Sequence, residues 1–475
     1  MSFTSLEFGA FLVVVYALYA VLPHRAQNAM LFLASYFFYG YWDYRFLGLI
    51  AFSTVVDYTV ALRLASTEDA VTRKRLVGIS LLTNLGLLGV FKYYNFFADS
   101  AEHVAASLGV ELHWTTTHIV LPVGISFYTF QTLSYTIDVY RRELPACKNV
   151  LDFALFVSFF PQLVAGPIER ASHLLPAIAK PRRIVHDDVA RGAFLILFGL
   201  FKKVAVADGF AASVDAIYNA PGANAFDVLL ATYLFAFQIF CDFSGYSDIA
   251  RGIAKTLGFE LMNNFDQPYA ATNPREFWRR WHISLSSWLR DYLYISLGGS
   301  RGGPRTVYMN LMLTMVLGGL WHGAAWNFVL WGIFQGAVLC IHRAFAGPNT
   351  EGVPQGYDAR AWLGFALKAA LYFQVTCYGW LLFRAGSFAQ IWDFTGLLVA
   401  GWGDELTLHV PRPPLAALMG FAILTVMGVA RLFAATPRFY RAWPEPLRAG
   451  LVAAMCVVAL MGLSTESHQF IYFQF

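Results

Sequence analysis

A succession of apolar runs, near 8–22, 28–42, 46–62, 77–97, 119–139, 151–165, 190–207, 227–242, 309–344, 361–383, 388–400, 414–432 and 449–464, constrains the fold of this chain more than any motif does. A membrane-spanning helix needs about 20 mostly apolar residues, and no soluble core requires so many such segments. Only 13% of the 475 residues are charged, about half the share usual in soluble domains. The expected class is therefore an all-α polytopic integral membrane protein in the lipid bilayer. Runs too short to span are expected to re-enter or to pack on other helices, because lipid-facing backbone must satisfy its own hydrogen bonds. The first residues lack the positive segment of a cleaved signal peptide, so the first run is expected to be retained. With no repeat or long soluble insertion, 1–475 is read as one membrane domain. The net charge of +4 gives no field for nucleic acid. The scattered Cys147, Cys241, Cys340, Cys377 and Cys456 suggest no metal site.

Charge sidedness orients the runs. Arg25 and the group Arg63, Arg73, Lys74 and Arg75 lie two crossings apart and share the cytoplasmic face. Residues 98–118, with Asp99, Glu102 and Glu111, belong outside, and Arg141 and Arg142 return inside. The run 151–165 begins and ends among basic residues (Arg170, Lys180, Arg182 and Arg183 follow). It is therefore expected to be re-entrant, with a break across 159–167. The link 208–227, with Asp208, Asp215 and Asp227, faces outward. The stretch 275–305 starts inside, Arg431, Arg438, Arg441 and Arg448 lie inside, and the tail through Glu466 lies outside. The region 345–413 gives no clear sign.

Most histidines (His24, His103, His113, His118, His173, His186) sit in links, and His342, His409 and His468 are near run ends, where solvated or interfacial roles are the base case. His322 differs. It lies in Gly318-Gly319-Leu320-Trp321-His322-Gly323, inside an apolar run entered near Tyr308. A helix from there rises ~1.5 Å per residue and places the imidazole roughly 20 Å deep. A polar group at that depth is a functional candidate by default, and desolvation favours the neutral form that acts as a base. A structural histidine bonded to a neighbouring helix is the equal alternative from burial alone.

From 273 to 295, Trp278, Trp281, Leu285, Trp288, Leu289 and Tyr292 form one helical stripe beside Arg275, Arg279, Arg280 and Arg290. Asn273-Pro274 is a sound helix start. Alone, this is an interfacial amphipathic helix; functionally, it is a cytoplasmic dock for an anionic donor such as a CoA thioester, whose phosphates arginine can fork. The carboxylates Asp242 and Asp248 upstream are expected to pair with these arginines.

These blocks, with Leu121 to Phe130, Ala165-Gly166-Pro167-Ile168, Asp242 to Asp248, Phe277 to Leu297 and Gly318 to Trp326, resemble the membrane-bound O-acyltransferase (MBOAT) family, and its alginate-acetylating bacterial branch closely. The resemblance covers about 1–345, with a core of about 119–345; beyond 345 the match is expected in hydropathy only. It implies a helical horseshoe around a through-membrane tunnel, with re-entrant and amphipathic helices, in the cell inner membrane. It also implies that His322 is the catalytic histidine and His282 the second signature position. Trp321, Gly323 and Asp291 would support them, and Arg275, Arg279, Arg280 and Arg290 would hold the donor. No permanently bound cofactor is implied; the resemblance implies acetyl-CoA as donor substrate, an extracytoplasmic polysaccharide as acceptor, and a separate extracytoplasmic SGNH-type acetyltransferase as partner. Within the family, D-alanine transfer to teichoic acid and acetyl transfer to peptidoglycan or cellulose are the alternatives. A transporter, which would show paired intramembrane charges or an inverted repeat, and a structural scaffold are the alternatives outside it.

Overall fold

The computed structural model describes residues 1–111, 119–164, 166–219, 221–345, 353–354, 358–403, 408–433, 443–463 and 470. Ala165, His113, His118, His468, Arg438, Arg441, Glu466 and parts of 345–413 lie outside the described residues. Within them all regular structure is helical. Among the described residues, six helical stretches are long and apolar enough to cross a membrane: His24–Ser66, Ala70–Ser107, Ala225–Thr256, Trp326–Phe345, Leu415–Leu432 and Glu445–Gly462. The chain forms two compact units, Met1–Ala193 with Ala250–Met262, and Phe194–Ile249 with Asn263–Phe475.

The first unit holds α1 (Leu6–Val21), α2 (His24–Asp43), α3 (Leu47–Ser66), α4 (Ala70–Leu88), α5 (Tyr94–Ser107), α6 (Ile125–Arg141), α7 (Val150–Ser158), α8 (Phe160–Leu163), α9 (Ala171–Ala179) and the start of α10 (His186–Leu200). Several of its buried polar side chains are satisfied across helices, as a low-dielectric interior favours. Asp57 of α3 is fully buried. It accepts hydrogen bonds from Ser80 and Asn84 of α4 and from Thr136 of α6. Arg73, expected as a cytoplasmic marker, is itself buried and donates to the carbonyls of Val139 and Tyr140 at the end of α6 and of Thr67 after α3. There a cation meets the negative ends of two helix dipoles.

The run 151–165 breaks where expected. Helix α7 stops at Ser158, Phe159 leaves helical geometry, and Pro161 sits in the first turn of α8. The freed backbone finds side-chain partners. Phe160 N–H donates to Ser35 Oγ at 3.1 Å, and the Phe156 carbonyl accepts from Gln131 and Gln162 at 2.6 and 2.7 Å. Phe153 to Leu163 are all buried, so the non-helical backbone is enclosed by protein. Gly124 starts α6 at φ +79, and a Cβ there would stand 2.8 Å from the Leu163 carbonyl oxygen. The left-handed backbone favours glycine, and the contact requires it.

The second unit contains the end of α10, α11 (Asp208–Tyr218), most of α12 (Ala225–Thr256), α13 (Pro274–Arg280), α14 (Ile283–Trp288), α15 (Pro304–His322), α16 (Trp326–Phe345), α17 (Ala359–Arg384), α18 (Phe388–Ala400), α19 (Leu415–Leu432) and α20 (Glu445–Gly462). The run 309–344 is not one helix. It is the hairpin α15–α16, folded at Gly323–Ala325, and glycine makes that fold possible. A Cβ on Gly319 would lie 2.2 Å from the Phe328 carbonyl oxygen, and one on Gly332 would lie 2.6 Å from that of Met315. The core of this unit is aromatic, built from Phe277, Trp281, Phe328, Trp331, Trp380 and Phe383 with aliphatic residues of α11 and α12.

Candidate active site

The segment 273–295 departs from a single amphipathic helix. Asn273 caps α13 by accepting from Glu276 N–H at 2.9 Å, and Glu276 reaches back to Thr272 N–H at 3.0 Å. This reciprocal cap fixes the start that Asn273-Pro274 foretold. The helix then ends at Arg280. Trp281 is extended, and His282 has φ +42 and ψ 55, a left-handed backbone uncommon outside glycine. Such a conformation costs ~1–3 kcal/mol and persists only when its surroundings enforce it. Here they do. The buried Asn264 accepts at its carbonyl from Ile283 N–H at 3.0 Å and at its side chain from Ser284 N–H and Oγ at 3.2 and 3.0 Å. Asp266 N–H donates to the Arg280 carbonyl at 2.9 Å. The kink turns His282 into protein, where it is 0% exposed, with its ring edge-on to Phe243 of α12 at 4.5 Å.

His322 is the last residue of α15, and Gly323 follows in extended conformation. A Cβ on Gly323 would sit 2.2 Å from the Phe328 ring, so glycine is what lets Phe328 fold beneath the turn. His322 is 6% exposed. Its ring meets Trp331 at 5.2 Å and Phe383 at 5.5 Å, both edge-on. Trp321 lies 5.8 Å from His282 and 5.2 Å from His322. The two imidazoles are 6.2 Å apart at an inclination of 56°. Residues 40 positions apart in sequence are thus brought into one aromatic enclosure. At that spacing one small group can lie within hydrogen-bonding reach, about 3 Å, of both rings.

The other candidates are less gathered. Asp291 pairs with the neighbouring Arg290 at 2.7 Å. Arg280 is engaged by Glu276 at 2.6 Å and by the Asp266 carbonyl at 3.3 Å. Arg279 is exposed and Arg275 half-buried. The stripe of Trp281, Leu285, Trp288 and Leu289 is buried in protein. Asp242 and Asp248 do not pair with these arginines, contrary to expectation; the structure gives them lysines instead. Lys203 binds Asp242 and Asp208 at 2.7 Å each, and Lys202 binds Asp248 at 2.6 Å and Ser244 at 3.0 Å. Both lysines are 3% exposed. The signal for them is present in the sequence, because two cations inside the apolar run 190–207 need buried partners. Close approach of α10 and α12 supplies these, with a Cβ on Gly199 falling 2.4 Å from the Gly245 carbonyl oxygen. Asn264 is a further residue that sequence reasoning misses; nothing local marks a long-range backbone clamp.

Comparison with known proteins decides the family. Residues 141–377, which include both histidines, match the model of the membrane-bound O-acyltransferase family. A relative from Azotobacter vinelandii, "Probable alginate O-acetylase AlgI", is 40% identical over 431 residues, 89% of this chain and 84% of the relative. The chain belongs to the MBOAT family. It is an O-acyltransferase and a multi-pass membrane protein. A Pseudomonas putida protein of the same description is 37% identical over 98% of both chains. The alignment therefore runs on past 345, where a match in hydropathy only was expected. The "Peptidoglycan O-acetyltransferase" of Helicobacter pylori is 36% identical over 80% of this chain and 76% of its own length.

Proposed function

We propose that this MBOAT protein moves acetyl from cytoplasmic acetyl-CoA, across the inner membrane, for O-acetylation of an alginate-like extracytoplasmic polysaccharide. The observation that carries the reading is the enclosure of His282 and His322 in one aromatic site, 6.2 Å apart, in a chain 40% identical to a probable alginate O-acetylase. His322 serves as general base toward the attacking hydroxyl, a role typically worth 10²–10⁴-fold in rate. His282, fixed by its left-handed backbone, orients or polarises the thioester carbonyl. Trp321 holds both rings, and Gly323 keeps the turn narrow.

The donor phosphates are assigned to the arginine segment. Arg279 and Arg275 are the first anchors; Arg280 and Arg290 already hold Glu276 and Asp291 and would exchange a carboxylate for phosphate. Asp291 thereby regulates the reach of Arg290. The acceptor hydroxyl belongs to a separate SGNH-type acetyltransferase or to the polysaccharide itself. Acetyl is favoured over D-alanine because the acetylating relatives are similar over most of the chain.

The test uses sealed inside-out vesicles carrying the polysaccharide and any partner within, with labelled acetyl-CoA supplied outside. Label is expected on the enclosed glycan with wild-type protein and at background with His322→Ala. Transfer by His322→Ala at the wild-type rate would remove His322 from the chemistry.

A further inference from the structure

Two indole N–H groups in the aromatic cluster that walls His322 are buried without an acceptor among the described residues. Trp331 and Trp380 are 1% and 2% exposed, and Nε1 of each is buried and unpartnered; Nε1 of Trp278 is a third. The rings are contiguous. Trp331 stands edge-on to His322 at 5.2 Å, nearly parallel to Trp380 at 6.4 Å, and edge-on to Trp278 at 5.9 Å. An unmet buried donor costs about 1–3 kcal/mol, and roughly 90% or more of buried polar groups in native proteins are satisfied. The surrounding ring faces supply only weak N–H···π contacts. Trp331 touches His322 directly, and Trp380 stands behind it, against Trp331 and against the Phe383 ring that also meets His322.

We propose that Trp331 and Trp380 form a two-donor oxyanion hole for the acyl group transferred at His322. The inference rests on the acyl-transfer reading of that site. In the step, the acceptor hydroxyl oxygen bonds to the thioester carbonyl carbon while its proton passes to His322. The C=O π pair moves onto the carbonyl oxygen, which accepts from the indole N–H groups. Collapse restores the carbonyl and breaks the C–S bond, and the leaving thiolate takes the proton back from the imidazolium. Ester and free thiol are the products, and no further reactant is consumed. Neutral indoles are well matched to such an oxygen, because their hydrogen bonds strengthen with developing charge and they do not compete with His322 for its proton.

The test is steady-state kinetics of the purified full-length protein with acetyl-CoA, comparing Trp331→Phe and Trp380→Phe with wild type. Each is expected to lower kcat on the order of 10²-fold. KM for acetyl-CoA should stay within about threefold. A merely structural tryptophan would lower kcat only in proportion to the folded protein lost. Replacing Trp331 with 3-benzothienylalanine keeps the bicyclic shape without the N–H and should reproduce the kcat loss, which covers the case of a phenylalanine variant that fails to fold. If this analogue turns over at the wild-type rate while His322→Ala is inactive, the oxyanion hole is overturned and the acyl-transfer reading stands. If His322→Ala is also fully active, the underlying reading falls with it.

Discussion

His282 shows what a single residue discloses and conceals. Its place in the Trp281-His282-Ile283-Ser284 block carries the family resemblance, yet its left-handed backbone at φ +42 cannot be read from the block. That conformation is set by Asn264, 18 positions upstream, and local propensity carries no trace of a clamp formed in three dimensions. His322 is legible for the opposite reason: a histidine in an apolar run is costly wherever the run is buried. The arginines separate by their partners. Arg280 and Arg290 are tied to carboxylates, whereas Arg279 is exposed and able to meet phosphate. Arg279→Ala is therefore expected to raise KM for acetyl-CoA several-fold with little change in kcat, and to weaken the salt dependence of KM, since the lost attraction is screened by ions. Unchanged KM in both low and high salt would move the donor site elsewhere.

At the scale of elements, hydropathy locates the helices but not their breaks. Gly323, Ala324 and Ala325 are as apolar as the helices they join, so the turn between α15 and α16 is invisible to a hydropathy profile. The break before α8 is visible, because Pro161 and Pro167 punctuate it. The α15–α16 hairpin rests on glycine contacts that compete with intrinsic propensity. Alanine in a helix interior is favoured over glycine by about 1 kcal/mol, but a Cβ on Gly319 would meet the Phe328 carbonyl oxygen at 2.2 Å, and backbone cannot swing aside as a side chain can. The clash is expected to win. Gly319→Ala should lower the unfolding midpoint and reduce acetyl transfer together, by displacing Phe328 and with it the wall of the His322 site. A variant as stable and active as wild type would show that the hairpin is not held as closely as these contacts require.

At the scale of the whole molecule, composition and charge sidedness suffice for a multi-pass helical membrane protein, and the motif blocks suffice for its family. What sequence cannot supply is the pairing of distant segments: Lys203 with Asp242, Asn264 with Ser284, and His282 with His322. Each pairing joins separate segments, and all three bury polar or charged groups whose isolation would be costly. The functional claim rests on the last pairing, because two histidines that act on one reacting group should not contribute independently. The direct measurement is the single-turnover rate of labelled acetyl transfer for His282→Ala, His322→Ala and the double variant, each confirmed to be folded. The expected result is a loss of about 10²–10⁴-fold for His322→Ala, with the double variant no slower than that single one. Full activity in His322→Ala, or losses that multiply in the double variant, would contradict a shared site.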